Sequence, residues 1–262
     1  MEYEIKLIAY LDILGFGQLV MSSANDPKLT NTIYEVLSSI DKTKVNQEAF
    51  IQLSPSVPQE EMKSAKEVQA LMAQAMSLEW PIVVSYFSDS LVLSASDSNA
   101  CYLILELIAQ LNVRIWEEYR LLLRGGIAID KLIHVDNGPI YGPAMNCAYH
   151  LESKKAINPR VVLEPTAFQS LKKVDLYTKM RHLFSDSEDF VNINLASSYN
   201  HLINFSTLSL HPEYKEKLIA SLNASPEALE GKIAEFLHDK KVQSKYIWIK
   251  GEIDSLIQKT SS

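Results

Sequence analysis

Two aspartates, Asp12 and Asp89, stand where a carboxylate can do chemistry. Asp12 lies near the end of an apolar, strand-forming run, Ile5 to Leu14 (IKLIAYLDIL), which stops at Gly15-Phe16-Gly17. Asp89 is the centre of Ser88-Asp89-Ser90, flanked within Pro81 to Ser94 by β-branched and aromatic residues, the pattern of a hairpin tip. If the first strand pairs beside that hairpin, the two carboxylates converge. Paired carboxylates bind divalent cations. Magnesium takes a few of them together with substrate phosphate oxygens, and two such ions lower the pKa of an attacking hydroxyl and stabilise a leaving phosphate. Gly15 and Gly17 leave room for a triphosphate to reach backbone amides at the start of a following helix, where the dipole favours anions. A plainer reading stands beside this one: a lone aspartate at a strand end is more often a turn or capping residue, and a lone Gly-x-Gly is a weak signal.

The elements that must position these residues follow from periodicity. Lys28 to Ile40 carries Leu29, Ile33, Val36, Leu37 and Ile40 at helical spacing, with Asn25-Asp26-Pro27 as its start signal. A polar insertion covers about 41–78. After the hairpin, Leu103 to Trp116 has a helical period, and Arg120 to Ile129 reads as a strand holding Gly125-Gly126. Asp136-Asn137-Gly138 marks a turn, Ala144 to Ala156 a helix, and Arg160 to Glu164 a strand entered through Asn158-Pro159. The order is strand, helix, hairpin, helix, hairpin, helix, strand, which predicts an α+β fold with a ferredoxin-like core over residues 1–164 and helices mainly on one face. Residues 165–262 read as a mostly helical extension, packed on the core or on a partner chain. It holds a strand-like stretch at Asp189 to Leu195, then three helical segments between His211 and Lys259, one of them starting at Ser225-Pro226.

Composition narrows the classes. A net charge of −7 repels phosphate backbones and argues against non-specific nucleic-acid binding, so a nucleotide needs local cations or metal. No apolar run approaches the roughly 20 residues of a membrane span. The start, Met1-Glu2-Tyr3-Glu4, lacks the basic and apolar regions of a leader, which predicts a cytoplasmic protein. Cys101 and Cys147 are too few for a disulfide framework, the histidines are too scattered for zinc, and Ser88 and Ser90 lack the elbow of a nucleophilic serine.

Leu11-Asp12-Ile13-Leu14-Gly15-Phe16-Gly17 resembles the first metal motif of class III nucleotide cyclases, and Phe87-Ser88-Asp89-Ser90 resembles the second. Arg124-Gly125-Gly126-Ile127, Gly142-Pro143-Ala144, Ala148-Tyr149-His150-Leu151-Glu152 and Pro159-Arg160-Val161-Val162 are similar to the pyrimidine cyclase branch, found in bacterial Pycsar antiphage systems. The blocks keep the family order over residues 7–163.

The resemblance implies two Mg2+ or Mn2+ ions held by Asp12, Asp89 and the Ile13 carbonyl, with Gly15, Phe16 and Gly17 near the phosphates. It implies attack of a ribose 3′ hydroxyl on the α-phosphate, a homodimer with shared active sites, and a product acting on a separate cyclic-nucleotide effector. Purine cyclases carry a lysine where this chain has Ser85, with Tyr86 beside it, which favours a pyrimidine triphosphate; family frequency, and no residue of this chain, puts UTP before CTP. They also carry an arginine four residues after a helix asparagine. Here Asn146 is followed at that distance by His150, and a neutral imidazole is a poorer oxyanion partner than a guanidinium. Either Arg124 or Arg160 supplies the missing cation, or the chain is a nucleotide-binding regulatory module without turnover. A purine cyclase is the remaining alternative.

Overall fold

The computed structural model describes residues 2–39, 82–186, 190–206 and 212–260; the insertion read at about 41–78 lies outside them. The chain runs β1 (Glu4–Ile13), α1 (Phe16–Ser23), α2 (Pro27–Ser39), β2 (Val83–Phe87), β3 (Ser90–Ala95), α3 (Ser98–Tyr119), β4 (Leu123–His134) and β5 (Ile140–Tyr141). It continues with α4 (Pro143–His150), a π turn (Leu151–Lys155), β6 (Arg160–Leu163), α5 (Pro165–Lys173), α6 (Leu176–Lys179), β7 (Ser185–Asp186), β8 (Val191–Asn194), α7 (Leu195–Asn204), α8 (Pro212–Glu235) and α9 (Lys240–Thr260).

The sheet order is β2-β3-β1-β4-β6-β8-β7, with β5 paired to β4. Its first four strands have the ferredoxin-like order, β1 lying antiparallel between β3 and β4. Alternate residues of β1 serve two faces. Leu7, Leu11 and Ile13 enter a large core with Ile104, Ile108 and Trp116 of α3, while Ile8 and Tyr10 meet Ala144 and Ala148 of α4 on the other face. The α+β class expected from the order of elements is the class observed.

The extension shares the main core. β8 continues the same sheet, and Tyr199, Leu222, Tyr246, Ile249 and Ile253 are buried with the residues of β1 and α3. From α3, Trp116 Nε1 donates to Ser225 Oγ at 3.0 Å, and Asn112 Nδ2 donates to Ser198 Oγ at 3.2 Å.

Several boundaries differ from the sequence reading. Helix α1 begins directly at Phe16, where the sequence showed only a turn, and α7 follows β8 through a capping box between Asn194 and Ser197. The helix read as Ala144 to Ala156 widens to a π turn after His150. The start expected at Ser225-Pro226 is absent because α8 runs through Pro226, so the described part of that region holds two helices rather than three. An interior proline costs about 3 kcal/mol or more. Here Leu218, Leu222 and Leu229 bury one stripe on both sides of it, and Ser225 Oγ donates to the Ser221 carbonyl at 2.9 Å.

Candidate functional site

Register places Asp12 in a row that crosses the sheet. Phe87 pairs with Ser90, Ser90 with Asp12, and Asp12 with Arg124. One residue before the parallel Gly125–Val161 pair, Arg124 is followed by Arg160, which pairs with Asn194. Laterally paired residues share a face, so this row lies on the side of the sheet covered by α4. Asp89 precedes Ser90 in the β2–β3 turn, which brings the two aspartates to neighbouring strand ends.

Arg124 holds the centre. Its Nε donates to Asp12 Oδ2 at 2.8 Å, and its second arm lies 2.7 Å from Glu152 Oε1, in the π turn. Burial nevertheless pushes the Asp12 carboxyl up to about 6, against the pull of Arg124 and with the help of the charges on Asp89 and Glu152. Glu152 is raised as well, by burial first, against Arg124. Three carboxylates, Asp12, Asp89 and Glu152, thus lie around the guanidinium that bridges two of them. Glu152 is buried to 4% exposure. In sequence it is only the last residue of the Ala148–Glu152 block; the π turn that turns it inward leaves no mark in helical periodicity.

Gly15 (φ +81°) caps α1 in the left-handed region, and among the described residues a Cβ at Gly15 or Gly17 would meet nothing within 4 Å, which leaves space at these two positions near Asp12. Phe16 is buried in the main core and anchors that end. Tyr10, two residues before Asp12 on the same face, shares a 2.9 Å hydrogen bond with Ser90 Oγ and packs edge-on to Tyr149 at 5.5 Å.

Other candidate residues lie elsewhere within this chain. Tyr86 pairs with Leu91 and so projects from the opposite face to Asp12, half exposed; Phe87 is the aromatic in the Asp12 row. Asn146 and His150 occupy the exposed side of α4. The Arg160 guanidinium lies over the Trp248 ring of α9, 5.9 Å from its centroid.

Ser85 faces His134, one of the histidines too scattered in sequence to suggest a metal site. His134 Nε2 is 2.9 Å from Ser85 Oγ and Nδ1 is 2.8 Å from Ser94 Oγ. Burial, with Lys6 nearby, pushes the imidazole down to about 4. An unfolded chain takes up this proton near 6.5 and the folded one only near 4, so stability is lost as pH falls through that window and levels off below it. The expected loss is about 3 kcal/mol between pH 7 and pH 4. Urea unfolding of wild type and His134→Gln across that range should show a shallower acid slope in the variant; parallel slopes would remove His134 as the cause.

Among the described residues, no group of three or more histidine, cysteine, aspartate or glutamate side chains is arranged to hold a metal ion, and no helix is long and apolar enough to cross a membrane.

No family model matches the chain, and no curated protein matches it. Among solved structures, it is similar to the dimeric guanylyl cyclase domain of the RhoGC fusion protein from the aquatic fungus Blastocladiella emersonii, at 13% identity over 74% of this chain and 94% of that one, TM-score 0.40. An adenylate/guanylate cyclase/hydrolase from Silicibacter pomeroyi aligns at 15% identity over 73% and 96%, TM-score 0.40. A bacterial light-regulated adenylyl cyclase aligns at 12% identity over 82% and 100%, TM-score 0.43.

Proposed function

We propose that this chain is a class III nucleotide cyclase that converts a pyrimidine nucleoside triphosphate, UTP before CTP, to its 3′,5′-cyclic monophosphate and pyrophosphate. The observation that carries this reading is the convergence of Asp12 and Asp89 at adjacent strand ends beside the N-terminus of α1. Both sit in segments that resemble the family's metal motifs.

The donor set fits divalent cations. A buried carboxyl raised to about 6 next to a second aspartate is a site where added positive charge is favourable. Asp12, Asp89 and the Ile13 carbonyl would hold Mg2+ or Mn2+, substrate phosphate oxygens completing the shell. Bound there, the ions supply Lewis acidity at the α-phosphate and lower the pKa of the 3′ hydroxyl. The protein's own contribution is placement. Gly15 and Gly17 let the triphosphate approach the α1 amides, and Arg124, released from one carboxylate, is at hand for phosphate charge. In the reaction O3′ bonds to the α-phosphorus, the bond to the β-phosphate oxygen breaks, and the hydroxyl proton leaves to solvent.

A pyrimidine is favoured because position 85 offers a serine hydroxyl engaged with His134 and no lysine. Exposed Phe87 and Tyr149, both packed against Tyr10, form an aromatic patch beside the site, and this supports a homodimer in which a partner covers that face and shares the site. The cyclic product would act on a separate effector in antiphage defence, in the cytoplasm. A second reading has its own observation: with Arg124 bridging Asp12 and Glu152, the guanidinium fills the place of a cation, as it would in a module that binds nucleotide without turnover.

The test is incubation of purified protein with manganese and each of the four ribonucleoside triphosphates separately, products being identified by mass spectrometry. A cyclic pyrimidine establishes class and base together. A cyclic purine keeps the class and overturns the base assignment; binding without product favours the regulatory module.

A further inference from the structure

Helix α9 crosses the ends of the strands that carry the polar row. Three of its residues, Lys245, Trp248 and Glu252, form one stripe at helical spacing, on a side distinct from Tyr246, Ile249 and Ile253, which enter the core. The stripe matches the row in order. Glu252 Oε2 accepts from Asn194 Nδ2 at 3.2 Å, and Trp248 lies under Arg160. One turn further toward the helix start, Lys245 is within electrostatic reach of Arg124, Glu152 and Asp12. Asp239, just before α9, interacts with the Gln18 side chain, so the beginning of α9 sits beside α1. Lys245 therefore lies near the Asp12–Arg124 pair, on the part of α9 that adjoins α1.

Its surroundings suit an anion. Lys245 is half-buried; burial disfavours its charge, Arg124 and Lys241 oppose it, and Asp239 and Asp12 only partly offset that. Lys245 and Arg124 are thus neighbouring cations that repel each other, and a bound triphosphate would ease that repulsion.

We propose that Lys245 is a substrate-contacting residue, supplied to the triphosphate by the C-terminal helix of the same chain. The proposal rests on the nucleotide reading of this site and deepens it: the extension completes the phosphate-binding half of the site, and Lys245 provides a cation that the outward-facing Asn146 and His150 do not.

Inorganic tripolyphosphate is the probe, titrated calorimetrically into wild type, Lys245→Met, Lys245→Arg and Lys217→Ala. Lys245→Met keeps most of the stem packing and Lys217→Ala, at an exposed position on α8, controls for net charge. Loss of one charge-assisted phosphate contact should weaken binding by about 10- to 100-fold in Lys245→Met, with Lys245→Arg close to wild type, Lys217→Ala unchanged and melting temperatures equal. With an active enzyme, the same loss should appear in kcat/KM for the triphosphate. Equal affinity of Lys245→Met and wild type, or no tripolyphosphate binding by wild type, overturns the proposal. Tripolyphosphate binding that depends on Lys245, in a protein that makes no cyclic product, upholds the phosphate site and sinks the cyclase reading instead.

Discussion

Asp12→Asn is expected to abolish cyclic nucleotide formation while leaving a folded protein that is more stable at neutral pH. The activity loss should be on the order of 1000-fold, comparable to removing a principal electrostatic stabiliser of a transition state. The stability gain follows from the raised carboxyl. In the unfolded chain Asp12 loses its proton near 3.8, and in the folded chain only at about 6. Between these values the folded state binds more protons, so its stability falls as pH rises through the window and the full penalty stands above it. Asparagine has no charge to desolvate, and the variant should gain up to about 3 kcal/mol at pH 7.5 in the presence of a chelator, a gain that vanishes below pH 4. Denaturant melts at both pH values, with product assays in manganese, check the two halves separately. Retained turnover in Asp12→Asn would remove the proposed chemistry; an unchanged melting curve would remove the account of its electrostatic cost.

The second large effect is expected at Gly126. A Cβ there would lie 2.3 Å from the Ala148 carbonyl oxygen and 2.6 Å from Leu151 Cβ, so α4 rests directly on the backbone of β4. Neither neighbour is the end of a flexible side chain, and the helix must lift. Gly126→Ala should cost about 1–3 kcal/mol, toward the upper end because backbone must move. Lifting α4 also carries Glu152 away from Arg124, so turnover should fall by more than the loss of folded protein explains. Gly231 is the contrast: it lies on the exposed side of α8, with nothing among the described residues within 4 Å of a Cβ, and Gly231→Ala should stabilise by about 0.5–1 kcal/mol. Chemical denaturation of both variants reads the opposite signs.

Much of the fold was legible because the relevant signals are local. The near-continuous burial from Leu7 to Leu14, the small polar tip at Ser88 to Ser90, and the Asp26 side chain accepting from the Lys28 and Leu29 amides all follow from short windows. Misreadings occur where distant contacts override a local signal. Pro226 looks like a helix start, yet Trp116 holds Ser225 from 109 positions away in sequence and the leucine stripe runs on. Helix α1 is only eight residues with one buried side chain, too little periodicity to separate it from a turn.

At the site, residue types drew attention to Asp12 and Asp89, but faces required register. Only pairing reveals that Phe87 shares the Asp12 row and Tyr86 does not. Lys245 resembles every other lysine of α9 in its sequence neighbourhood; what distinguishes it is a strand start more than a hundred residues earlier.

The π turn at Leu151–Lys155 has a consequence for how this stretch tolerates change. In an ordinary α-helix each residue turns about 100° from the last, so two neighbours cannot both face squarely inward. The wide turn, closed by the Ala156 amide on the Leu151 carbonyl at 2.8 Å, lets Leu151 pack on Val162 while Glu152 reaches Arg124. Removal of a single codon here would restore regular winding and force a choice between the apolar contact and the ionic one. The segment is thus sensitive to a one-residue deletion in a way that its surface-like lysines, Lys154 and Lys155, do not suggest, and alignment to chains without the wide turn calls for a gap at this place.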